Sequence, residues 1–260
     1  MNGRRLLART IGEITAAVSP RRHRPGLRIL MYHAVGTRLG PKQDPLRIYS
    51  IDAHMFERQM ELLSSLPNNT MVALDSAIPS NDVLQVAVTF DDGYKDNLHT
   101  AAPVMQKYAI PFTVFVTAEF VRSGSAEFMS PSELKSLADY PGATIGTHGE
   151  SHAPLASCDQ AHLLHELRDS QRYLEDLLGK PVHGLSYPHG SVTAGVRAKA
   201  AEAGYTLGVC SHFDINRPGR DPLLLCRSII RADDSERVFL QKLNGDWDWC
   251  RWVTKDPAKL

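Results

Sequence analysis

Two adjacent acidic residues, Asp91 and Asp92, follow an apolar, β-branched run that is typical of a buried strand. Gly93 comes next and permits a tight turn, so both carboxylates can face one cavity instead of opposite sides of a strand. Two carboxylates that are close together repel each other unless a cation or a shared proton compensates them. One aspartate could cap the helix expected from Asn97, but the pair favours a metal ligand beside a free base.

A second stretch carries two histidines, His148 and His152, four residues apart after another predicted strand. We expect a helical turn to bring both imidazoles to one side. Two imidazole nitrogens and one carboxylate oxygen form a common open site for a divalent transition metal, with water completing the ligand set. The two stretches together predict a metal site at strand ends.

Composition limits the classes of protein to which the chain can belong. With 260 residues and 43% apolar content, it can bury one substantial core, and its formal net charge of zero gives no electrostatic case for a nucleic-acid partner. The sequence has no apolar run of the roughly 20 residues that a membrane span needs, and the N-terminus lacks the apolar segment of a secretory signal. Four scattered cysteines are typical of reduced thiols, so we expect a cytoplasmic protein.

The order of elements predicts an α/β fold. Strand and helix patterns alternate from Arg28 onward, with a capping box at Ser130 and Glu133 and a long amphipathic helix over residues 159–178. About seven parallel strands with polar residues at their carboxyl ends indicate a (β/α) barrel, either complete or incomplete, in a single domain. We expect strand 223–231 to be the last of them.

Two terminal segments flank this barrel, which we assign to residues 27–245. Residues 1–26 form a basic arm with an amphipathic helical stripe, which could cap the barrel, remain loose, or make peripheral contact with the inner face of a membrane. Residues 246–260 hold all three tryptophans. We expect aromatic burial to pin this tail to the barrel, although a sugar-stacking or partner surface is the alternative.

Three motifs make the chain resemble the polysaccharide deacetylases, carbohydrate esterase family 4: residues 89–94, the histidine pair, and residues 186–190. The likeness extends from about residue 28 to about residue 233 and implies that the (β/α) barrel is distorted. It implies that Asp91 is the catalytic base and that Asp92, His148 and His152 bind one divalent transition metal, with zinc expected and cobalt or nickel as alternatives. Most members carry an arginine, which orients the base, where Ser186 stands here.

Residues 30–35 resemble the opening of a permuted branch that includes the poly-N-acetylglucosamine deacetylases. Most of the family ends with a Leu-x-His motif whose histidine is the general acid, and this chain has no histidine after His212. In the permuted branch the acid comes from the first strand, so His33 takes that role by resemblance. We expect a carboxylate or carbonyl to contact its second ring nitrogen. The branch also lacks the arginine, which leaves open what orients Asp91.

The resemblance implies hydrolysis of an N-acetyl group on an amino sugar of a glycan or lipid-linked saccharide, as in exopolysaccharide or lipopolysaccharide biosynthesis. Tyr187, Pro188 and His189 would line the acetyl pocket, with a structural role as the alternative for His189. The backbone N–H near Tyr94 would help to hold the oxyanion. An O-acetyl esterase is the first alternative, because the same site cleaves esters. A catalytically inactive glycan-binding module is the second, although retention of both aspartates and both histidines argues against it. The oligomeric state is left open.

Overall fold

The computed structural model of the protein describes residues 3–18, 24–37, 40, 44, 48–65, 69–77 and 79–259. Its strands are β1 (Gly26–Tyr32), β2 (Ala34–Val35), β3 (Ser50–Ile51), β4 (Asn69–Met71), β5 (Leu84–Phe90), β6 (Phe112–Val116), β7 (Ala143–Thr147), β8 (Gly184–Ser186), β9 (Leu207–Val209) and β10 (Ser228–Ile229). Its α-helices are α1 (Gly3–Val18), α2 (Ala53–Ser65), α3 (Ala102–Lys107), α4 (Ala118–Arg122), α5 (Pro131–Ala138), α6 (Gln160–Leu164), α7 (Ser170–Leu178), α8 (Ala194–Glu202) and α9 (Glu236–Asn244).

A curled sheet of parallel strands organises these elements, in the order β10-β1-β5-β6-β7-β8-β9. The short strand β4 lies beside the first half of β5, and β2 pairs with β3 in a separate two-stranded sheet. Because neighbouring strands run the same way, their carboxyl ends meet at one edge of the sheet, where ligands bind in such folds. The predicted incomplete (β/α) barrel in one domain is confirmed.

Local signals fix the starts of several helices. Asp52 Oδ1 accepts hydrogen bonds from the backbone N–H groups of His54 and Met55 at the start of α2. Ser130 and Glu133 form the expected capping box at α5, with proline at its first position. The helix over residues 159–178 is present, but a π-helical segment, His165–Asp169, interrupts it between α6 and α7.

The last strand differs from the prediction, because residues 223–231 do not form one continuous strand. Leu225 forms a parallel bridge with Val209 of β9, whereas Ser228 and Ile229 pair with β1. The segment therefore crosses from one end of the sheet to the other, and its backbone cannot stay in register with both ends. This crossing nearly closes the barrel and leaves β10 only two residues long.

Helix α1 lies against α9 at the C-terminal end of the chain. Arg9 donates a hydrogen bond from Nη2 to the backbone oxygen of Asp233 at 2.8 Å, and a Cβ added at Gly12 would lie 2.8 Å from the indole nitrogen of Trp247. The side chains of Leu7 and Val18, on which the predicted stripe partly depends, lie outside the described set. Within the described residues, no helix is long and apolar enough to cross a membrane.

A buried ion pair fixes the C-terminal tail to the barrel. Arg28 of β1 is fully buried and donates from Nη1 to Asp248 Oδ1 at 2.8 Å and to the Ser228 hydroxyl at 3.1 Å. Trp252 is 79% exposed, so the expectation that aromatic burial pins the tail is wrong for this residue. The ion pair between Arg28 and Asp248 also attaches the tail, and the rings of Trp247 and Trp249 are partly buried.

Replacing Asp248 with asparagine should lower the free energy of unfolding by about 3–5 kcal/mol, because the Arg28 charge would stay buried without its anion. Denaturant unfolding followed by circular dichroism measures this. Asp139→Asn is the matched control, since Asp139 pairs with Lys180 at 3.2 Å on the exposed surface and should contribute less than about 1 kcal/mol. Similar losses in the two variants would contradict the assignment.

Candidate active site and metal centre

A cavity of about 590 Å³ opens at the carboxyl ends of the strands. Strands β1, β5 and β7 each end at it, and this shared edge brings together residues that are far apart in the sequence. It is lined by Met31, His33, Tyr49, Asp91, Asp92, Tyr94, Phe120, Phe128, His148, His152, His189, Ser211 and Ile229.

The acidic pair enters this cavity through a left-handed turn after β5. The backbone N–H of Asp91 still continues the sheet by donating to the Tyr32 carbonyl at 3.0 Å. Asp92 then adopts φ 74° and Gly93 φ 83°. Such φ values are uncommon for a residue with a Cβ, and they cancel the alternation that would otherwise send the second carboxylate to the other face of the sheet. Both carboxylates therefore line one cavity, as predicted.

Asp92, His148 and His152 meet with the spacing of ligands around one metal ion. Asp92 Oδ1 lies 3.5 Å from His148 Nε2 and 3.4 Å from His152 Nε2. Ligands about 2.1 Å from a shared metal at tetrahedral angles lie roughly 3.4 Å apart. Asp92 Oδ1 is buried and has no hydrogen-bond partner among the described residues. A divalent cation would satisfy this oxygen, so the three residues fit a metal.

The histidines have the neutral form that a metal requires. Burial lowers the pKa of His148 to about 3 and also lowers the pKa of His152. The Ser186 carbonyl lies 2.8 Å from His148 Nδ1 and can only accept a hydrogen bond, so Nδ1 carries the proton. The lone pair of Nε2 is thereby directed towards Asp92 and His152, in the manner of metal-ligating histidines.

The predicted helical turn between the two histidines is wrong. Residues 148–152 form a loop, in which Gly149 and His152 have left-handed φ values of 79° and 65°. The ring centroids of the histidines are nevertheless 4.9 Å apart. The first turn of α4 fixes one side of this loop, because the N–H groups of Ala118 and Glu119 donate to the carbonyls of Gly149 and Glu150. The two histidines, four residues apart, thus reach the same site from a loop and not from a helical turn.

Arg227 is the partner of Asp91 that sequence reasoning missed. Its Nη1 and Nη2 donate to Oδ1 and Oδ2 of Asp91, both at 2.7 Å, and Nη2 also donates to the Ser186 hydroxyl at 2.9 Å. Burial alone would raise the pKa of Asp91, but the Arg227 guanidinium holds it well below its usual range. The arginine expected at position 186 is therefore supplied from the segment before β10, and Ser186 takes part as a hydrogen-bond partner.

The sequence does contain a signal for Arg227. It is the single charged residue in the run Leu-Leu-Leu-Cys-Arg-Ser-Ile-Ile that begins at Leu223. An arginine within a buried apolar segment needs an anion to compensate its charge. That requirement predicts a buried carboxylate partner, although it does not say which one.

The side chain of His33 reaches the cavity from the end of β1. Its ring lies 4.5 Å from that of Tyr49, centroid to centroid, and its carbonyl accepts a hydrogen bond from Asn97 at 2.9 Å. Its Nδ1 is buried without a hydrogen-bond partner among the described residues, so the expected carboxylate or carbonyl contact is not found at that nitrogen. Burial lowers the pKa of His33, whereas the charges of Asp92 and Asp91 act in the opposite direction.

The four residues expected to contact substrate have different surroundings. Tyr187 is fully buried, donates its hydroxyl proton to the Leu223 carbonyl at 2.9 Å, and does not line the cavity, nor does Pro188. The expectation of an acetyl pocket at these two residues is therefore not supported. His189 does line it, with its ring centroid 4.4 Å from that of His152. Tyr94 lines it too.

An aromatic wall, formed by Tyr94, Phe128 and Phe120, bounds one side of the cavity. The ring centroids of Tyr94 and Phe128 are 4.9 Å apart, and those of Phe128 and Phe120 are 4.3 Å apart. Phe120 lies on α4 and approaches His152 to 5.9 Å between ring centroids. Such a wall can stack against the apolar face of a ring-shaped ligand. The two phenylalanines were not singled out from the sequence.

Comparison with known proteins agrees with this geometry. The family model described as polysaccharide deacetylase matches residues 80–208. YxkH of Bacillus subtilis is 28% identical over 188 residues, which cover 70% of this chain and 63% of YxkH, so the match spans less than two thirds of that relative. The poly-β-1,6-N-acetyl-D-glucosamine N-deacetylase of Staphylococcus aureus is 22% identical over 218 residues, covering 77% of this chain and 74% of the relative.

The fold recurs in BC0361, a polysaccharide deacetylase from Bacillus cereus. Its crystal structure matches this one with a TM-score of 0.72 and 26% identity, covering 84% of this chain and 69% of BC0361. The matched family domain contains Asp91, Asp92, His148 and His152, the residues that the structure gathers in the cavity. The domain over residues 80–208 of this chain belongs to the polysaccharide deacetylase family.

Proposed function

We propose that the protein is a metal-dependent N-deacetylase that acts on an acetylated amino sugar of a glycan or lipid-linked saccharide. The observation that carries this proposal is the side-by-side placement of two different carboxylates. Asp91 is held ionised by Arg227, while Asp92 shares metal-ligand spacing with two neutral histidines. The family supports deacetylation of a glycan, and similarity to the poly-β-1,6-N-acetyl-D-glucosamine N-deacetylase of Staphylococcus aureus supports an N-acetylated amino sugar.

Asp92, His148 and His152 would hold the metal, for which we propose zinc. When bound, it would lower the pKa of a water molecule and polarise the acetyl carbonyl. Asp91 accepts the proton of the attacking water, because Arg227 keeps this carboxylate ionised and its Oδ2 lies only 3.9 Å from His148 Nε2, beside the ligand cluster. Arg227 and Ser186 also fix the orientation of the carboxylate.

His33 donates a proton to the leaving nitrogen, without which an amine is a poor leaving group. The carboxylates of Asp91 and Asp92 favour the imidazolium form and offset part of the burial that disfavours it. The backbone N–H of Tyr94 is available to an oxyanion, because the hydrogen bonds of the bridge between Tyr94 and Phe128 are made by the N–H groups of Met129 and Lys95.

The aromatic wall orients the substrate. A sugar ring has an apolar face, which stacks on Phe120 and Phe128, and hydroxyl-bearing edges, which turn towards the histidines and aspartates. An acetyl group on the edge of the ring is thereby directed to Asp91 and the metal ligands. Incubation with matched N-acetyl and O-acetyl sugars tests the proposal, since release of free amine supports it and release of alcohol alone contradicts it.

Replacing His148 or His152 with alanine should abolish both metal binding and acetate release, because each removes one of three protein ligands. Asp91→Asn should abolish acetate release and retain the metal, because the base does not bind it. Elemental analysis and an acetate assay on the same purified samples measure the two properties. Equal metal loss in all three variants would refute the division of roles between the aspartates.

Replacing Arg227 with methionine should raise the pKa of Asp91, because burial would then act without the guanidinium. The base works in its ionised form, so activity is present above this pKa and is lost as the pH falls through it. The acid limb of the kcat/KM profile should therefore move to higher pH, with a loss of about 10²–10⁴-fold at neutral pH. Ser186→Ala, which removes a 3.3 Å contact, should shift the limb less. An unmoved limb in the Arg227 variant would contradict this role.

Replacing His33 with alanine should reduce turnover of an N-acetyl sugar by about 10²–10⁴-fold and leave the metal content unchanged. The loss should be smaller on an ester, whose leaving group needs less protonation. His189→Ala is the comparison variant, because His189 lines the same cavity beside His152. If the amide-specific loss follows His189 instead, the acid is His189 and the assignment of His33 is wrong.

A further inference from the structure

We propose that Glu166 is a positioning residue of the metal site, although it lies outside the cavity. In this proposal its carboxylate holds the loop of residues 148–152 in the conformation that brings His152 beside His148 and Asp92. The inference rests on the metal site of the proposed function. It concerns the affinity of that site for its metal.

The carboxylate of Glu166 is fully buried and collects several donors from this loop. Oε2 accepts hydrogen bonds from the backbone N–H groups of Glu150 and Ser151 at 2.8 and 3.1 Å. Oε1 accepts one from the Ser151 hydroxyl. A buried carboxylate is costly unless hydrogen bonds compensate it, and here much of that compensation comes from the loop that carries the metal ligands.

Gly149 shows that the loop and the carboxylate fit each other closely. A Cβ at this position would lie 2.8 Å from Glu166 Oε2, and its φ of 79° is one that glycine adopts without strain. The glycine therefore lets the backbone approach the carboxylate. The residue that follows His148 is therefore one that leaves room for the Glu166 carboxylate.

The loop is held from two sides, and Glu166 provides one of them. The carbonyls of Gly149 and Glu150 accept hydrogen bonds from α4, while the N–H groups of Glu150 and Ser151 donate to Glu166. His152 follows directly and has a left-handed φ of 65°. A non-glycine residue keeps such a conformation only where its surroundings determine it. Without Glu166, the N–H groups would lose their acceptor and the position of His152 would no longer be fixed.

The helix that carries Glu166 departs from regular α-helical geometry at this residue. Glu166 lies in the π-helical segment His165–Asp169, a local widening of the helix that is frequent near functional sites. A second route joins this segment to the loop. Ser170 donates to the Glu166 carbonyl at 2.6 Å and accepts from Thr147 at 3.0 Å, and Thr147 accepts from Gly149 N–H at 3.2 Å.

Glu166→Gln tests the inference, because the amide keeps the shape of the side chain and loses the charge and one acceptor. Zinc affinity is measured by competition with a chelator. We expect the Kd to rise by about 10–100-fold, the usual effect of removing an outer partner of a metal ligand. At saturating zinc, kcat should return to near the wild-type value, because Glu166 does not touch the substrate.

Glu175→Gln is the matched control. Glu175 lies on α7 and also accepts a backbone N–H, from Val182 at 2.9 Å, but this contact leads to β8 and not to the metal loop. It should lower the thermal midpoint without changing the zinc Kd. An equal rise in Kd in both variants would show a general loss of structure and overturn the inference.

Ser151→Ala provides a test if Glu166→Gln does not fold. It removes one hydroxyl donor and leaves the two backbone donors to the carboxylate, so it should raise the zinc Kd by a smaller factor, about 2–10-fold. A wild-type zinc affinity in Glu166→Gln would overturn the inference and leave the proposed function intact. If Glu166→Gln does not fold, a wild-type zinc affinity in Ser151→Ala would have the same meaning. A wild-type protein that binds no divalent metal would instead overturn the metal site of the proposed function.

Discussion

The buried ion pair between Arg227 and Asp91 is the interaction on which the candidate site depends. Asp91 and Asp92 are neighbours in the chain and lie in one cavity, where two uncompensated negative charges would repel each other. Arg227 compensates one of them with two hydrogen bonds of 2.7 Å and is itself held by the Cys210 carbonyl and the Ser186 hydroxyl. Burial, with the Asp91 charge, raises the pKa of Asp92 to about 6. The two adjacent aspartates therefore have pKa values shifted in opposite directions.

Much of the fold could be predicted because apolar periodicity reports burial directly. The strand ends at Asp91 and His148 followed from it, and parallel strands place such ends together. The course of residues 223–231 could not be predicted, since an apolar run does not reveal that its two halves pair with opposite ends of a sheet. The loop between the histidines was missed for a related reason. A spacing of four residues suits a helix, but hydrogen bonds from α4 and Glu166 decide the backbone here.

Residues that never enter the cavity therefore determine much of its geometry. Helix α4 contributes two backbone donors, those of Ala118 and Glu119, to the histidine loop. Glu166 looks from the sequence like a solvent-facing acid of an amphipathic helix, yet it is fully buried. Its role becomes visible only when its donors are identified in three dimensions. Arg227 is similar, because its position in the sequence lies far from the aspartate that it orients.

The buried ion pairs Asp91–Arg227 and Arg28–Asp248 have a consequence for how the protein acquires its structure during synthesis. Asp91 precedes Arg227 by 136 residues, and Arg28 precedes Asp248 by 220 residues. In each pair the first charge leaves the ribosome long before the second, and it cannot be buried at low cost until its partner arrives. The sheet therefore cannot close around β1 and β5 while the chain is being extended, and domains of high contact order fold slowly in any case. Completion of the barrel and assembly of the site become one late event.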